Sequence, residues 1–335
     1  MSEEYLVSIC IPTYNRVDAL RASLEDIVRN ESFDQDVEIV ISDNGSNDGT
    51  RDMIASYTEQ FSNIKYYRND DNLIDENFWL AINRARGQYI KLQNDYYSFT
   101  DDGLGLIKQY VKENLSEKSL LFFTDNNIYS QSGITIYSGS GINEYISMVS
   151  TFVTAINLFG IWREDIPLIS QPLRHKIHKL LQVDWTYQLI TKKNEFTLIN
   201  YPICRRLYTS PVSRDIKYDW FEIHVKNYYD IMLEFCEDII GEKGVNDATI
   251  TKDKELCMKH FRKQYFDTFL YAPPNFTYDR YNTRKILEEY CGDCKEYLKY
   301  KRLLPLARLL YPYFYLRNSD NMVKRILKKV RAIVK

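Results

Sequence analysis

Leu6-Val7-Ser8-Ile9-Cys10-Ile11-Pro12-Thr13-Tyr14-Asn15-Arg16 is the stretch on which the fold turns. Its apolar run, closed by proline, reads as a short strand buried on both faces of a parallel sheet. A helix pattern follows, with Leu20, Leu24, Ile27 and Val28 on one face and Asn15 or Asp18 available as N-cap. The alternation then repeats. Val37–Ile41 is a second strand, and Asp43-Asn44-Gly45-Ser46-Asn47-Asp48-Gly49-Thr50 is turn chemistry leading into a helix that carries Met53, Ile54 and Tyr57. Ile64–Tyr67 reads as a strand, Phe78, Trp79, Ile82 and Ala85 as a helix stripe, and Tyr89–Leu92 as a strand. Leu104–Val111 and Leu120–Thr124 add one more helix and strand. This spacing predicts right-handed crossovers and a doubly wound, mostly parallel α/β sheet.

In such sheets ligands bind beyond the carboxyl ends of the strands, where helix N-termini and unpaired amides converge. Pro12-Thr13-Tyr14, Asp43-Asn44-Gly45-Ser46 and Asn94-Asp95 all follow strands, so all three should face one crevice. An Asp after a strand is by itself more often a helix cap than a ligand contact; the joint placement of three segments is what points to a site.

Composition bounds the partners. Forty-four Lys and Arg stand against 46 Asp and Glu, a net charge of −2, which leaves no electrostatic case for nucleic acid. From residue 299 onward, however, 11 basic residues accompany one acid, while the preceding 298 residues carry 33 basic and 45 acidic ones. An acidic body thus bears a basic tail. In that tail Met322, Val323, Ile326, Leu327, Val330, Ile333 and Val334 form an apolar face amid Lys and Arg, with Tyr311, Tyr313, Phe314 and Tyr315 upstream. The pattern predicts an amphipathic helix docked on an anionic membrane surface. Six cysteines without a preceding signal-like segment fit a reducing cytoplasm, and the Cys291–Cys294 pair reads as two ordinary thiols. Tyr145–Trp162 lacks charge for 18 residues but is rich in Ser and Thr, which predicts a buried helix and strand rather than a membrane span.

Taken in order and spacing, Val7–Arg16, Val37–Thr50 and Ala85-Arg86-Gly87-Gln88-Tyr89-Ile90 resemble the N-terminal half of the family 2 glycosyltransferases with the GT-A fold. The likeness covers residues 5–125 strongly and 150–205 faintly, and is nearest in flavour to bacterial enzymes that build O-antigens and capsules. It implies a nucleotide-diphospho-sugar donor, a UDP-sugar, lined by Pro12, Thr13 and Tyr14. Asp43, with Asn44 beside it, would accept a hydrogen bond from the N–H of a base such as uracil. Asn77 would touch the nucleoside or sugar. The family's Asp-x-Asp motif, which holds a divalent cation against the diphosphate, is reduced here to Gln93-Asn94-Asp95-Tyr96-Tyr97. Asp95 would ligate Mg²⁺ or Mn²⁺, with Asn94 as a weaker ligand and phosphate oxygens completing the shell; the alternative is a cation-independent site using Lys or Arg on the phosphates. Asp101 and Asp102 read as caps for the helix at 104.

The resemblance also implies a general base at the start of a later helix, where the family has a Glu-Asp pair and this chain has Val183-Asp184. Asp184 would deprotonate the acceptor hydroxyl; Glu164 and Asp165, in an apparent surface loop, rank second. From residue type alone, Arg205-Arg206 reads either as a clamp on the diphosphate of the donor or of a lipid-linked acceptor, with Arg205 as the binding residue, or as a solvated pair. His175 and His178 read as surface residues and His224 as an outside candidate for a metal ligand. The expected layout is a GT-A unit at 1–215 (donor side about 5–125, acceptor side about 126–215), a helical region at 216–298 with a polar stretch at 241–255, and the basic tail at 299–335. The expected activity is inverting sugar transfer to a glycan or polyprenyl-diphosphate-linked acceptor, at the inner face of a bacterial membrane. A non-catalytic scaffold of the same fold is the alternative. A nucleotidylyltransferase is disfavoured, because no Gly-x-Gly loop follows the first strand.

Overall fold

The computed structural model describes residues 5–124, 133–207, 219–239, 245–271 and 280–315. In chain order its elements are β1 (Val7–Thr13), α1 (Val17–Ile27), β2 (Val37–Asp43), α2 (Thr50–Gln60), β3 (Ile64–Arg68), α3 (Glu76–Arg84), β4 (Tyr89–Leu92), β5 (Tyr97–Phe99), α4 (Gly103–Glu113) and β6 (Leu120–Phe123). There follow β7 (Thr135–Ser140), α5 (Ile142–Met148), β8 (Gly160–Trp162), α6 (Leu181–Lys193), β9 (Glu195–Asn200), β10 (Cys204–Arg206), α7 (Tyr228–Ile239), α8 (Asp247–His260), α9 (Arg262–Phe266), α10 (Arg280–Cys291) and α11 (Lys295–Tyr315).

Every residue of β1 and β2 is buried, as an apolar run in a sheet covered on both faces requires. Their side chains alternate between two cores. Ile9, Ile11, Ile39 and Ile41 pack with Leu20, Leu24 and Ile27 of α1, Ile54 of α2 and Ile107 of α4. Cys10 and Val40 point the other way, to Ala81 and Ile82 of α3, in a core that runs on through α6, α7 and α8 as far as Leu304. Each such aliphatic side chain contributes roughly 2 kcal/mol on burial. Packing also crosses the boundary expected at 215: Tyr187 of α6 stacks on Phe235 of α7 with ring centroids 4.8 Å apart.

The central sheet has the order β3-β2-β1-β4-β8. β1 pairs in parallel with both β2 and β4, and β8 closes the edge antiparallel to β4. The chain therefore winds outward from β1 through β2 to β3, then returns through α3 to β4 on the opposite side. That reversal makes the gap between β1 and β4 the switch point of the fold. Gly87 enters β4 beside Ser8: a Cβ there would lie 2.5 Å from the Ser8 amide nitrogen, so only glycine admits this approach.

Two expectations are corrected. The strand at 120–123 does not join the central sheet; it pairs in parallel with β9, and β7 completes a separate three-stranded sheet. The reason is that β8 occupies the free edge of β4. Neither Asn15 nor Asp18 caps α1: Asp48, from the loop after β2, accepts from the Val17 N–H at 2.8 Å, so one rim loop caps the helix that follows the other. Within the polar stretch, Asn246 accepts from the Thr249 N–H at 2.9 Å and starts α8. Residues 145–162 do form buried helical turns and β8. Cys291 and Cys294 are buried free thiols. Among the described residues no helix is long and apolar enough to cross a membrane, and the amphipathic face at 322–334 lies outside them.

Within the helical core Asp253 is fully buried and accepts from the Tyr228 hydroxyl at 2.9 Å, while Ser150 joins the hydroxyls of Tyr187 and Tyr228 at 2.6 and 2.7 Å. Burial lifts the Asp253 carboxyl to about 7, against the opposing hydrogen bond of Tyr228. The unfolded chain releases this proton near 4. Between those values the native state binds more protons, so stability is full at acid pH and is lost as pH rises through about 7. Asp253→Asn keeps the bond from Tyr228 and removes the charge. It should raise the unfolding free energy by on the order of 4 kcal/mol at pH 8 and by only about 1 kcal/mol at pH 5; equal effects at both pH values in denaturant titrations would contradict this.

Candidate active site

The three strand-end segments meet at one rim. Thr13 lies opposite Asp43 in the β1–β2 register, and its carbonyl accepts from the Asn44 N–H at 2.9 Å. On the other side its hydroxyl donates to Asp95 Oδ2 at 2.9 Å, across the switch point. Asn15 and Ser46 stitch the first two loops together, the Asn15 N–H reaching Ser46 Oγ and the Asn47 N–H reaching Asn15 Oδ1, both at 2.9 Å. Gly45, at φ +83°, makes the turn that allows this. Pro12 is buried in β1, whereas Tyr14 stands exposed on the rim.

Asp43 is fully buried, accepting from the Ser46 N–H at 2.9 Å and the Tyr66 hydroxyl at 2.6 Å, with Arg68 at 3.9 Å. Burial and the Asp43 charge push the Tyr66 phenol well above its usual range. Asn44 donates to Asn72 Oδ1 and Ile74 O and accepts from Asn69 and from the Leu73 N–H, so it pins the loop 69–74. Asn77 is engaged with its neighbours: it donates to Ser42 O at 2.7 Å and accepts from Ser42 Oγ and Asn69, while Arg84 donates to Ser42 Oγ and Asn69 Oδ1. The arrangement makes Asn44 and Asn77 builders of the rim behind Asp43.

Asp95 is 3% exposed. Burial raises its pKa, opposed by Arg16, whose Nη1 lies 3.2 Å from Oδ1, and by Thr13. Asn94 sits beside it, its amide donating to Asn157 Oδ1 at 3.1 Å. Divalent ions of this kind take several oxygen ligands. One carboxylate with an arginine on one oxygen and a threonine on the other is not such a set, and among the described residues no group of three His, Cys, Asp or Glu could hold a metal. An ion at Asp95 would need phosphate oxygens for the rest of its shell and would share the carboxylate with Arg16 and Thr13. His224 packs between Trp220 and Phe261, and burial lowers its pKa to about 3. It is a core histidine.

β10 separates the two expected clamp residues. It pairs antiparallel with β5, so successive side chains point to opposite faces. Arg205 turns to Asp26 of α1 at 2.6 Å, away from Asp95. Arg206 lies over the Tyr96 ring, 5.0 Å from its centroid, with Arg16 over the same ring at 5.4 Å. Residue-type reasoning singled out the pair without telling its members apart.

On the other side, α6 places Asp184 in its first turn, with Oδ1 3.1 Å from Arg174 Nη2 and Oδ2 accepting from Gln188 at 2.8 Å. Its neighbour Trp185 packs against Trp79 of α3 and Phe159, each with centroids 5.4 Å apart. His175, expected on the surface, is buried 3.5 Å from Asp184. The Arg174 Nε–H donates to its Nε2 at 3.0 Å, so Nδ1 carries the proton toward His178 at 3.2 Å. Burial lowers the His175 pKa against the pull of Asp184, and burial raises that of Asp184 against His175 and Arg174. Glu164 is an exposed partner of Lys118, and Asp165, instead of lying in a surface loop, is buried in a 3₁₀ turn against Lys193 at 3.0 Å. Asp102 stands at the N-cap of α4 without a side-chain capping bond. Sequence reasoning missed Asp75, before α3, whose carboxyl burial lifts to about 6 against the charge of Lys179. Spacing offered no signal for it.

Asn44→Ala should release the loop 69–74, costing about 2 kcal/mol in unpaired partners. Hydrogen exchange at Leu73 and Ile74 should accelerate while β1 and β2 stay protected; unchanged exchange there would refute the pinning role.

Comparison with known proteins gives this geometry a family. Residues 8–116 match the model of "Glycosyl transferase family 2". Over 108 residues the chain is 39% identical to the abequosyltransferase RfbV of Salmonella typhimurium, a stretch that covers 32% of this chain and 32% of that protein. The chain thus spans about a third of that relative's length. Crystal structures of Staphylococcus aureus TarS share the fold: one superposes with a TM-score of 0.52 at 14% identity over 78% of this chain and 45% of the other. Another, of TarS 1–349 in complex with UDP-GlcNAc, does so with a TM-score of 0.50 at 12% identity over 85% and 80%. Residues 8–116 therefore resemble a family 2 glycosyltransferase domain, in a chain with the GT-A fold.

Proposed function

We propose that this chain transfers a sugar, with inversion, from a UDP-sugar to a hydroxyl of a glycan or polyprenyl-diphosphate-linked acceptor during synthesis of a bacterial surface polysaccharide. The observation that carries the reading is the hydrogen-bonded line from Asp43 through Thr13 to Asp95, at the switch point of a family 2 domain. It sets a buried carboxylate suited to a base N–H at one end and cationic groups suited to phosphate at the other. In this reading residues 5–125 bind the donor and 126–215 the acceptor. The name of RfbV, an abequosyltransferase, supports sugar transfer, and the UDP-GlcNAc bound to TarS supports the class of donor.

Asp184 serves as the base. Inverting transfer needs a proton acceptor at the nucleophilic hydroxyl, and the reacting anomeric carbon must lie between that group and the departing diphosphate. Arg174 and Gln188 hold the carboxylate in one orientation, and the His175–His178 pair gives the abstracted proton a path outward. The tail beyond residue 299 docks the enzyme peripherally on the inner face of the membrane. A scaffold without catalysis is the second reading, favoured by the Arg174 pairing that occupies Asp184.

Nucleotide sugars screened for protection against thermal unfolding should yield a hit among the UDP-sugars, since a ligand held at 100 times its Kd adds about 2.7 kcal/mol. With that donor, Asp184→Asn should retain binding and lose transfer by about three orders of magnitude. Binding by the wild type with no transfer to any glycan acceptor would establish the scaffold instead.

A further inference from the structure

We infer that a recess walled by α9, α10 and α11 binds the phosphate head group of an anionic membrane lipid, whose acyl chains run along the exposed leucines of α11. The inference rests on the membrane docking proposed above and names the lipid group that it reads.

The recess has a volume of about 440 Å³, within the range of small-molecule sites. Its floor is aromatic. Tyr265 of α9, Phe269 in the turn that follows and Tyr297 of α11 are buried there. The Tyr265 ring packs on Phe269 with centroids 4.9 Å apart and on Tyr297 at 6.3 Å, so the three form one cluster, closed by Leu304.

The mouth is cationic. Arg284 of α10 and Lys301 and Arg308 of α11 line it, with Glu288 as the one acid. Glu288 stands one turn from Arg284 but gives its carboxylate to Lys301, at 2.8 Å. Among the described residues no carboxylate lies within ion-pair distance of Arg284 or Arg308, so the lining carries more positive than negative charge. Arg284 lies over the Phe269 ring, 6.0 Å from its centroid, a contact that holds a guanidinium by its face and leaves its N–H edge to other partners. Burial pushes the Tyr265 phenol up while the charges of Arg284 and Arg308 pull it back, so both cations face the same hydroxyl. Two guanidinium groups converging above a buried aromatic floor suit a phosphate with an apolar body.

The surface beside the mouth selects a lipid over a free phosphate. Leu298, Leu306 and Leu309 of α11 are 37, 54 and 76% exposed. Spaced by eight and three residues, they share one side of the helix. Lys301, Pro305 and Leu309 follow one another at intervals of four, so a single row runs from the cationic mouth onto this apolar side. A free phosphate would leave the leucines in water; a lipid covers them and places the cations at head-group level.

The test uses the full chain with two probes: dihexanoyl phosphatidylglycerol below its micelle concentration, followed by calorimetry, and sedimentation with phosphatidylcholine vesicles with or without phosphatidylglycerol. The monomeric lipid should bind at one per chain, and dihexanoyl phosphatidylcholine and glycerol phosphate at least about tenfold more weakly. Arg284→Gln and Arg308→Gln, both at exposed positions, should each weaken it by about tenfold. Lys295→Gln and Arg302→Gln remove the same charge from α11 outside the recess; they should leave the monomeric lipid's affinity unchanged and weaken only vesicle binding, by roughly fivefold each. Monomeric lipid that does not bind, equal affinity for glycerol phosphate, or equal losses from all four substitutions overturns the site and leaves peripheral docking standing. Failure of the chain to sediment with anionic vesicles sinks the docking, and the lipid site with it.

Discussion

The hydrogen bond from the Thr13 hydroxyl to Asp95 ties the end of β1 to the loop after β4, beyond the ladder that pairs the two strands at the point where the sheet reverses its winding. Thr13 touches both neighbours: its backbone faces Asp43 and holds Asn44, while its side chain reaches Asp95. Because Asp95 is buried, the bond sits in a low dielectric where it is strong and where an unpaired carboxylate would be costly. The position of Arg16 follows from it.

Around this link the protein places its polar groups in two kinds of setting. Beside Asp43, Asn44, Asn69, Asn77 and Arg84 use their bonding capacity on one another and on backbone, so the rim is braced without a ligand. Rigidity of this kind lowers the entropy lost on binding. At the start of α6, Asp184, Arg174, His175, His178 and Glu234 form a mixed cluster of charges and imidazoles in which His175 and Asp184 each shift the other's pKa. That setting suits proton movement more than ligand positioning.

The two sides share a core. The packing that begins at Cys10 and Val40 continues through α6, α7 and α8, so the helical half is built onto one face of the sheet. Trp185 is the hinge of this arrangement, seated between Trp79 and Phe159 while its neighbour Asp184 turns toward Arg174. A shift of α6 would therefore be felt by the residues that flank the end of β4.

Local sequence alone determined the alternation of strands and helices to residue 113, the parallel character of β1 to β4 and the three segments that form the rim. Period-two burial, helical stripes and turn residues are short-range signals, and each was legible within some ten residues. The same held for Asp43 and Asp95 as the rim's carboxylates, since their position after strands follows from the pattern. Tertiary structure decided what depends on partners distant in the chain. It set β8 against β4 and sent β6 to another sheet, supplied Asp48 as the cap of α1, buried His175 and Asp165, and turned Arg206 rather than Arg205 toward Tyr96. The physical reason is that edge pairing, burial and the facing of a three-residue strand are settled by which surface comes to lie opposite, a quantity no local window of sequence contains.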